Sequence, residues 1–355
     1  MSQNGQSSIE VIIPNLNKRF SGITSTVSQV VPEQSKELGF VSVGYPLPFK
    51  IARLGWRELI RICRHPLPDG RWRIYHARRN IEMLAGLILR RIFNCRIHLV
   101  FTSTAQREHT WLTKFLYRRM DTLLTTSPRA ARFLKRDPDY TIPHGIDTRT
   151  YHPAPDKKKA WSEGGLQGEH GVGIFGRVRP QKGHREFVDA LCQVLPKHPH
   201  FTAVVIGQVT PKFEPFVEEL KKKLSDHGVS DRVAWLGKLP FGEIPLWFRR
   251  MSLVVCASHN EGYGLTCLEA MASEVPVVAT RAGAWELIIE NNKDGYIVPC
   301  EDAPAMAGAL DKAMSEPGEL AEMGKRARKK VQSGYTVEIE AASLNRVYQE
   351  IWKQH

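Results

Sequence analysis

The chain has no paired cysteines. Its six, Cys63, Cys95, Cys192, Cys256, Cys267 and Cys300, show no C-x-x-C spacing. That argues against a zinc site or a disulfide framework and for reduced thiols in a cytosolic protein. Long apolar runs are missing as well. The longest candidate, residues 83–89, is closed by Arg90 and Arg91 and reads as a buried helix, far short of a membrane span. Residues 1–8 are polar, so the start argues against a secretory signal. There is no internal repeat, no low-complexity tract and no recognised nucleic-acid-binding module. The aromatic residues of the basic region, Trp56 and Trp72 among them, are scattered, which counts against nucleic acid as a partner.

Acidic residues are scarce in one region only. Residues 50–136 hold 20 basic and 5 acidic side chains, while the rest of the chain holds 30 and 32. The whole net charge of +13 therefore sits in the first part of the sequence. Such a field attracts anionic partners: a lipid surface, or a phosphorylated or carboxylated sugar. Residues 114–120 mix Lys114, Arg118 and Arg119 with Phe115, Leu116 and Tyr117, a composition suited to resting on a membrane without crossing it.

A length of 355 residues exceeds what one core usually supports, and 42% hydrophobic content is ordinary for a globular protein. Strands are expected at 9–13, 40–43, 73–76, 95–101 and 122–126. A second set is expected at 171–175, 201–207, 233–237, 253–257, 276–280 and 295–298. Helical stretches alternate with them, which implies an α/β protein with parallel sheets. The expected domains are 1–153 and 171–335. Residues 154–170, with Lys157, Lys158, Lys159, Gly164 and Gly165, read as a linker, and a terminal helix is expected over 338–352.

The densest signal is Ser258-His259-Asn260-Glu261-Gly262-Tyr263-Gly264-Leu265-Thr266-Cys267-Leu268-Glu269. An apolar strand runs through a glycine turn into a helix. Gly262 and Gly264 let backbone approach a ligand closely, and the helix start offers N–H groups to an anion. Glu261 and Glu269 can accept hydrogen bonds from sugar hydroxyls. Taken alone, a strand–Gly–helix turn is also an ordinary structural device.

A second phosphate signal lies upstream. Arg177 and Lys182 sit on a loop between the strand at 171–175 and an amphipathic helix over 186–195. Arg supplies a planar fork and Lys a mobile point charge, a pair able to neutralise a departing diphosphate. The plain alternative is a solvated basic loop.

In this order, Gly176-Arg177 to Lys182-Gly183, Glu261-Gly262-Tyr263-Gly264-Leu265 to Glu269-Ala270-Met271-Ala272, and Val275-Pro276-Val277-Val278 resemble glycosyltransferase family 4. Pro143-His144-Gly145-Ile146-Asp147 and Asp294-Gly295-Tyr296-Ile297-Val298 extend the resemblance over roughly residues 143–299. Tyr75-His76-Ala77-Arg78-Arg79-Asn80 is most similar to the lipopolysaccharide-core mannosyltransferases.

The resemblance implies a retaining enzyme of the GT-B fold, with two Rossmann-like domains facing a central cleft and helix 336–355 joining the first domain. It implies that Arg177 and Lys182 bind the donor diphosphate, that Glu261 contacts the transferred sugar and that Glu269 accepts the ribose hydroxyls. Gly262, Gly264, Leu265 and Thr266 would cradle phosphate and sugar. The base would lie near Gly207, Lys238 and Leu239, and Gly22 near the phosphates. Ser21 stands where the family typically has a glycine.

The implied reaction moves a hexose, mannose from GDP-mannose, onto a lipopolysaccharide core or lipid-linked oligosaccharide. No cofactor or metal is called for, because the Arg/Lys pair and a helix dipole supply the positive charge. Many family members carry a His after the fourth strand. Residues 101–107 have none, and His76 and His109 read as structural side chains. Arg78, Arg79 and Arg107 are candidates to receive an anionic acceptor. The expected location is the cytoplasm, at the inner face of the cytoplasmic membrane. Competing readings are a UDP-sugar transferase, a nucleotide-sugar epimerase of the same fold, and a non-catalytic polyanion binder.

Overall fold

The computed structural model describes residues 9–19 and 21–354. Residues 1–8, read above for a leader, lie outside that set. The described chain divides into two compact units. One comprises the residues up to Gly145 together with those from Thr336 on, and the other is Ile146–Tyr335.

The first unit is built on seven strands: β1 (Val11–Asn15), β2 (Phe40–Gly44), β3 (Arg53–Leu54), β4 (Arg73–Ala77), β5 (Ile97–Ser103), β6 (Thr122–Thr125) and β7 (Tyr140–Thr141). They form one sheet in the order β3-β2-β1-β4-β5-β6-β7, parallel throughout. Runs such as Val11-Ile12-Ile13 have no polar face because helices cover both sides of a parallel sheet. Ile12, Tyr75 and Leu99 pack on one side, and Val11, Ile13, Ile74 and Val100 on the other. The edge strands β3 and β7, two residues each, are too short to show a period in sequence.

Pairing of β1 with β4 stops at Ile12, just before Pro14, which has no N–H to give to a ladder. The strand order reverses at this point, and open α/β sheets bind ligands beyond the strand ends at such a reversal.

The terminal helix, Val337–Lys353, closes the second face. Gln34 donates to Asn345 (3.0 Å), and the Trp352 indole donates to the Trp72 carbonyl (2.8 Å). Glu340 accepts from the Gly145 N–H and pairs with His144, both at 2.8 Å. A side chain at Gly145 would collide with the Thr336 carbonyl, 2.1 Å from an added Cβ. The Pro143-His144-Gly145 segment is thus held by the returning helix.

The second unit carries β8 (His170–Phe175), β9 (Phe201–Ile206), β10 (Val233–Gly237), β11 (Met251–Cys256), β12 (Val277–Thr280) and β13 (Gly295–Val298). Its sheet runs β10-β9-β8-β11-β12-β13, again parallel. Here the order reverses between β8 and β11. Buried clusters lie on both faces, around Phe187, Leu191 and Leu220 on one side and Phe248, Met271 and Trp285 on the other.

Two expected boundaries move. The division falls at Gly145/Ile146 and not near residue 153, because Ile146 and Tyr151 are buried in the second unit's core. Residues 154–170 are not a free linker. Asp156 caps a helix, Lys157–Ser162, and the buried Trp161 packs in that same core while donating to the Gly168 carbonyl at 2.9 Å. The polar, glycine-bearing sequence concealed one anchoring aromatic.

Candidate functional site

Both phosphate signals of the sequence emerge at the reversal of the second sheet. The loop after β8 carries Gly176 to Gly183, and the loop after β11 carries Ala257 to Gly264. Gly183 adopts φ +72°, and an added Cβ would lie 2.1 Å from the Ala257 carbonyl, so only glycine lets the loops cross there. The His259 N–H donates to the Gln181 carbonyl at 3.0 Å and stitches them together.

This crossing delivers Lys182 to Glu261. Their side chains form an ion pair, with Ser258 Oγ donating to the same carboxylate at 3.3 Å. Both are largely but not fully withdrawn from solvent. Glu269 lies on the helix that follows, Leu265–Ala272, and accepts from the Tyr151 hydroxyl at 3.1 Å. Burial pushes the Glu269 carboxyl up to about 7, although the Tyr151 hydrogen bond favours its charged form. Burial likewise raises the Tyr151 phenol, reinforced by the Glu269 charge. Cys256, at the end of β11, senses the cluster. Its thiol is raised first by burial, then by Glu269 and Glu261, while Lys182 opposes them. Lys182, Glu261 and Glu269 therefore converge on one strand end.

The turn into the helix is rigid. Gly264 adopts φ +88°, and an added Cβ would lie 2.2 Å from Trp285 Nε1. That indole donates to the Gly264 carbonyl at 2.9 Å. Among the described residues no side chain caps the helix at Gly264, which leaves the N–H groups of Leu265 and Thr266 at its start.

Arg177 is exposed on the loop after β8 and has no side-chain partner among the described residues. Lys238 is exposed and Leu239 half-buried beyond β10, two strands from β8. Gly207 has a structural task. Its Cβ position is only 1.7 Å from the Gly176 carbonyl, so it lets two chain segments cross beneath Arg177. Gly207→Ala is expected to destabilise the second unit by about 2–3 kcal/mol through overpacking. Urea denaturation measures it, and an unchanged midpoint would refute this crossing.

In the first unit, Gly22 begins the helix Gly22–Gln34, with open space around its Cβ position, and Ser21 caps that helix. Arg79 is not available to an acceptor. Its two terminal guanidinium nitrogens donate to Glu82 (2.6 Å), Thr24 (3.0 Å), Ser21 (3.2 Å) and Asn15 (3.3 Å), tying the loop after β1 to the helix after β4. Arg78, half-buried, donates to the His76 carbonyl at 3.4 Å and also hydrogen-bonds the Tyr348 hydroxyl. With Thr102, Thr126 and His144 it lines a small polar pocket at the strand ends. Arg107 is exposed beyond β5. His76 is buried with both ring nitrogens bonded, to Tyr348 (2.6 Å) and Thr102 (2.7 Å). Burial holds it neutral. His109 bonds Ser103 at 3.2 Å.

Sequence reasoning passed over Tyr151 and Trp285 and gave Ser258 no role of its own. Trp285 follows the Ala282-Gly283-Ala284 loop after β12, where Gly283 adopts φ +58° with its Cβ position 2.8 Å from the Tyr263 carbonyl. Nothing local signalled Tyr151, 118 residues from Glu269.

Residues 158–330 match the family model of the glycosyl transferases group 1. The chain is 40% identical over 344 residues to the lipopolysaccharide core biosynthesis mannosyltransferase LpcC of Rhizobium leguminosarum bv. viciae, covering 97% of each protein. It is 39% identical to the corresponding LpsB of Rhizobium meliloti, over 97% of this chain and 98% of that one. Among solved structures, the C-terminal domain of LpcC, a glycosyl transferase group 1 family protein from Francisella tularensis, is 39% identical. It covers 54% of this chain and 99% of that domain, with a TM-score of 0.53. Anabaena HepE in complex with UDP, at 18% identity, covers 96% of this chain and 100% of its own, with a TM-score of 0.81, a likeness of fold. Identity sustained along nearly the whole of two relatives, on paired parallel-sheet units, places this chain in the glycosyl transferases group 1: it is a glycosyltransferase of the GT-B fold.

Proposed function

We propose that the protein is a retaining mannosyltransferase that moves mannose from GDP-mannose onto an anionic lipopolysaccharide core or lipid-linked oligosaccharide. The observation that carries this reading is the Lys182–Glu261 pair beside Glu269 at the end of β11, next to a helix start without a side-chain cap. The names of the two full-length relatives supply the sugar and the acceptor class.

In this reading Lys182 and Arg177 hold the diphosphate and stabilise the charge that grows as the anomeric C–O bond breaks. The N–H groups of Leu265 and Thr266 add the helix dipole, so the proposed step needs no metal. Glu261 accepts from hydroxyls of the transferred sugar and Glu269 from the ribose. The acceptor oxygen bonds to the anomeric carbon on the face the diphosphate leaves, and its proton passes to the departing phosphate oxygen. No carboxylate is asked to be a nucleophile, unlike the paired carboxylates of a retaining glycosidase. Arg78 and Arg107 are left to meet the acceptor's negative charge.

A panel of nucleotide sugars tests the donor. Saturating GDP-mannose should raise the melting temperature by about 5 °C or more, as expected for a ligand at 100 times its Kd. A larger rise with a UDP-sugar would support the UDP-sugar transferase. Conversion of the nucleotide sugar without an acceptor would support the epimerase, and no shift with any of them would overturn the proposed site.

A further inference from the structure

Large hydrophobic side chains stand in solvent on two neighbouring helices of the first unit. Along Asn80–Arg91 and just beyond it, Ile81, Leu84, Ile88 and Ile92 are exposed, Ile92 by 69%. They recur at helical spacing on the side away from Met83, Leu87 and Leu89, which fill the core. The sequence reading of 83–89 as a buried helix therefore holds for one face only. On Trp111–Tyr117, Trp111 is 77% exposed, with Leu112 and Phe115 beside it. The helices touch, and Asn80 donates to Thr113 across them at 2.8 Å.

Trp111 stacks on Phe115, and the Arg119 guanidinium lies 3.5 Å over the Phe115 ring. Arg91 and Arg118 are exposed and have no acidic partner among the described residues. Glu108, the nearby acid, is paired with Lys114. An exposed apolar patch carrying unpaired arginines is not how a solvated helix pair ends.

We propose that this two-helix face docks on an anionic lipid bilayer, with Trp111, Ile88 and their neighbours entering the headgroup region and Arg91 and Arg118 contacting lipid phosphates. Among the described residues no helix is long and apolar enough to cross a membrane, so the contact is one of surface only. Charge selects this occupant over a second copy of the chain. A two-fold interface would set one arginine-bearing face against another, whereas an anionic leaflet attracts both arginines. The inference extends the lipid-linked acceptor proposed above but stands on the patch alone. It is tested without donor or acceptor, so its failure leaves the transfer reaction standing.

The test is cosedimentation of the full chain with phosphatidylcholine vesicles, with and without about a third phosphatidylglycerol. The protein should pellet with the anionic vesicles, less so in 0.5 M salt and less with neutral lipid. The Ile88→Asp, Trp111→Asp double variant should bind at least about tenfold more weakly. Both side chains are exposed, so its melting temperature should match wild type, confirming that it folds. Arg91→Glu with Arg118→Glu should erase the preference for anionic lipid. Wild-type protein left in the supernatant, or a double variant that binds as tightly, would overturn the proposal. So would a wild-type dimer on size exclusion that the double variant dissolves, since the face would then belong to a second copy.

Discussion

Replacing Lys182 with alanine is expected to lower kcat about a thousandfold, the usual cost of removing one preorganised charge from a developing anion. The structure fixes where the residue sits. Gly183 lets the loop cross Ala257, and the crossing sets the ammonium against Glu261. A lysine held by one carboxylate is oriented before any ligand arrives, so little reorganisation remains for the reaction. Lys182→Arg should not restore the rate, because a guanidinium is broader than the ammonium and would be misdirected at Glu261. Lys182 is partly exposed, so the variant should keep its melting temperature within about 2 °C. Initial rates at saturating donor decide the matter. A loss of less than about fivefold would remove Lys182 from the proposed reaction centre, well below the range for an oxyanion-type contact.

Glu269→Gln is expected to weaken donor binding about a hundredfold, as two hydrogen bonds to a charged carboxylate become neutral ones. The wild-type carboxyl titrates near 7, since burial outweighs the Tyr151 hydrogen bond. Ribose hydroxyls can only donate to it, so they select the ionised form. Donor affinity should thus fall about tenfold from pH 8 to pH 6, as the ionised fraction falls by that factor around a value of 7. The Gln variant should show no such dependence. The sign for stability is the opposite. The unfolded carboxyl ionises near 4.5, so between there and about 7 the unliganded fold holds more protons than the unfolded chain and loses stability as pH rises. Calorimetric titration of the donor at several pH values measures the first effect. A flat profile would mean that Glu269 does not meet the ribose.

The core strands could be read from runs such as 11–13 and 253–257, because a strand buried on both faces is apolar at every position. The lysine–glutamate cluster was legible for a related reason. Its parts hang on the ends of two adjacent strands, and a parallel sheet brings such ends together. Arg79 was misread because local sequence gives a residue type and not its partners. Two adjacent arginines look alike in a row, yet one is consumed by Glu82, Thr24, Ser21 and Asn15 while its neighbour lines a pocket. Trp161 escaped notice because a single anchoring side chain in a polar stretch leaves no period to detect.

Sequence by itself determined the alternation of strands and helices, the glycines where chain segments must cross, the basic bias of the first unit and the types of charge at the site. Those depend on neighbours along the chain. Tertiary structure alone decided which carboxylate is paired with a lysine, which lies half-buried under the Tyr151 hydroxyl, where Gly145 divides the units, and which face of Asn80–Arg91 is left in water. Each of these turns on contacts between residues tens or hundreds of positions apart, and on how much solvent those contacts exclude.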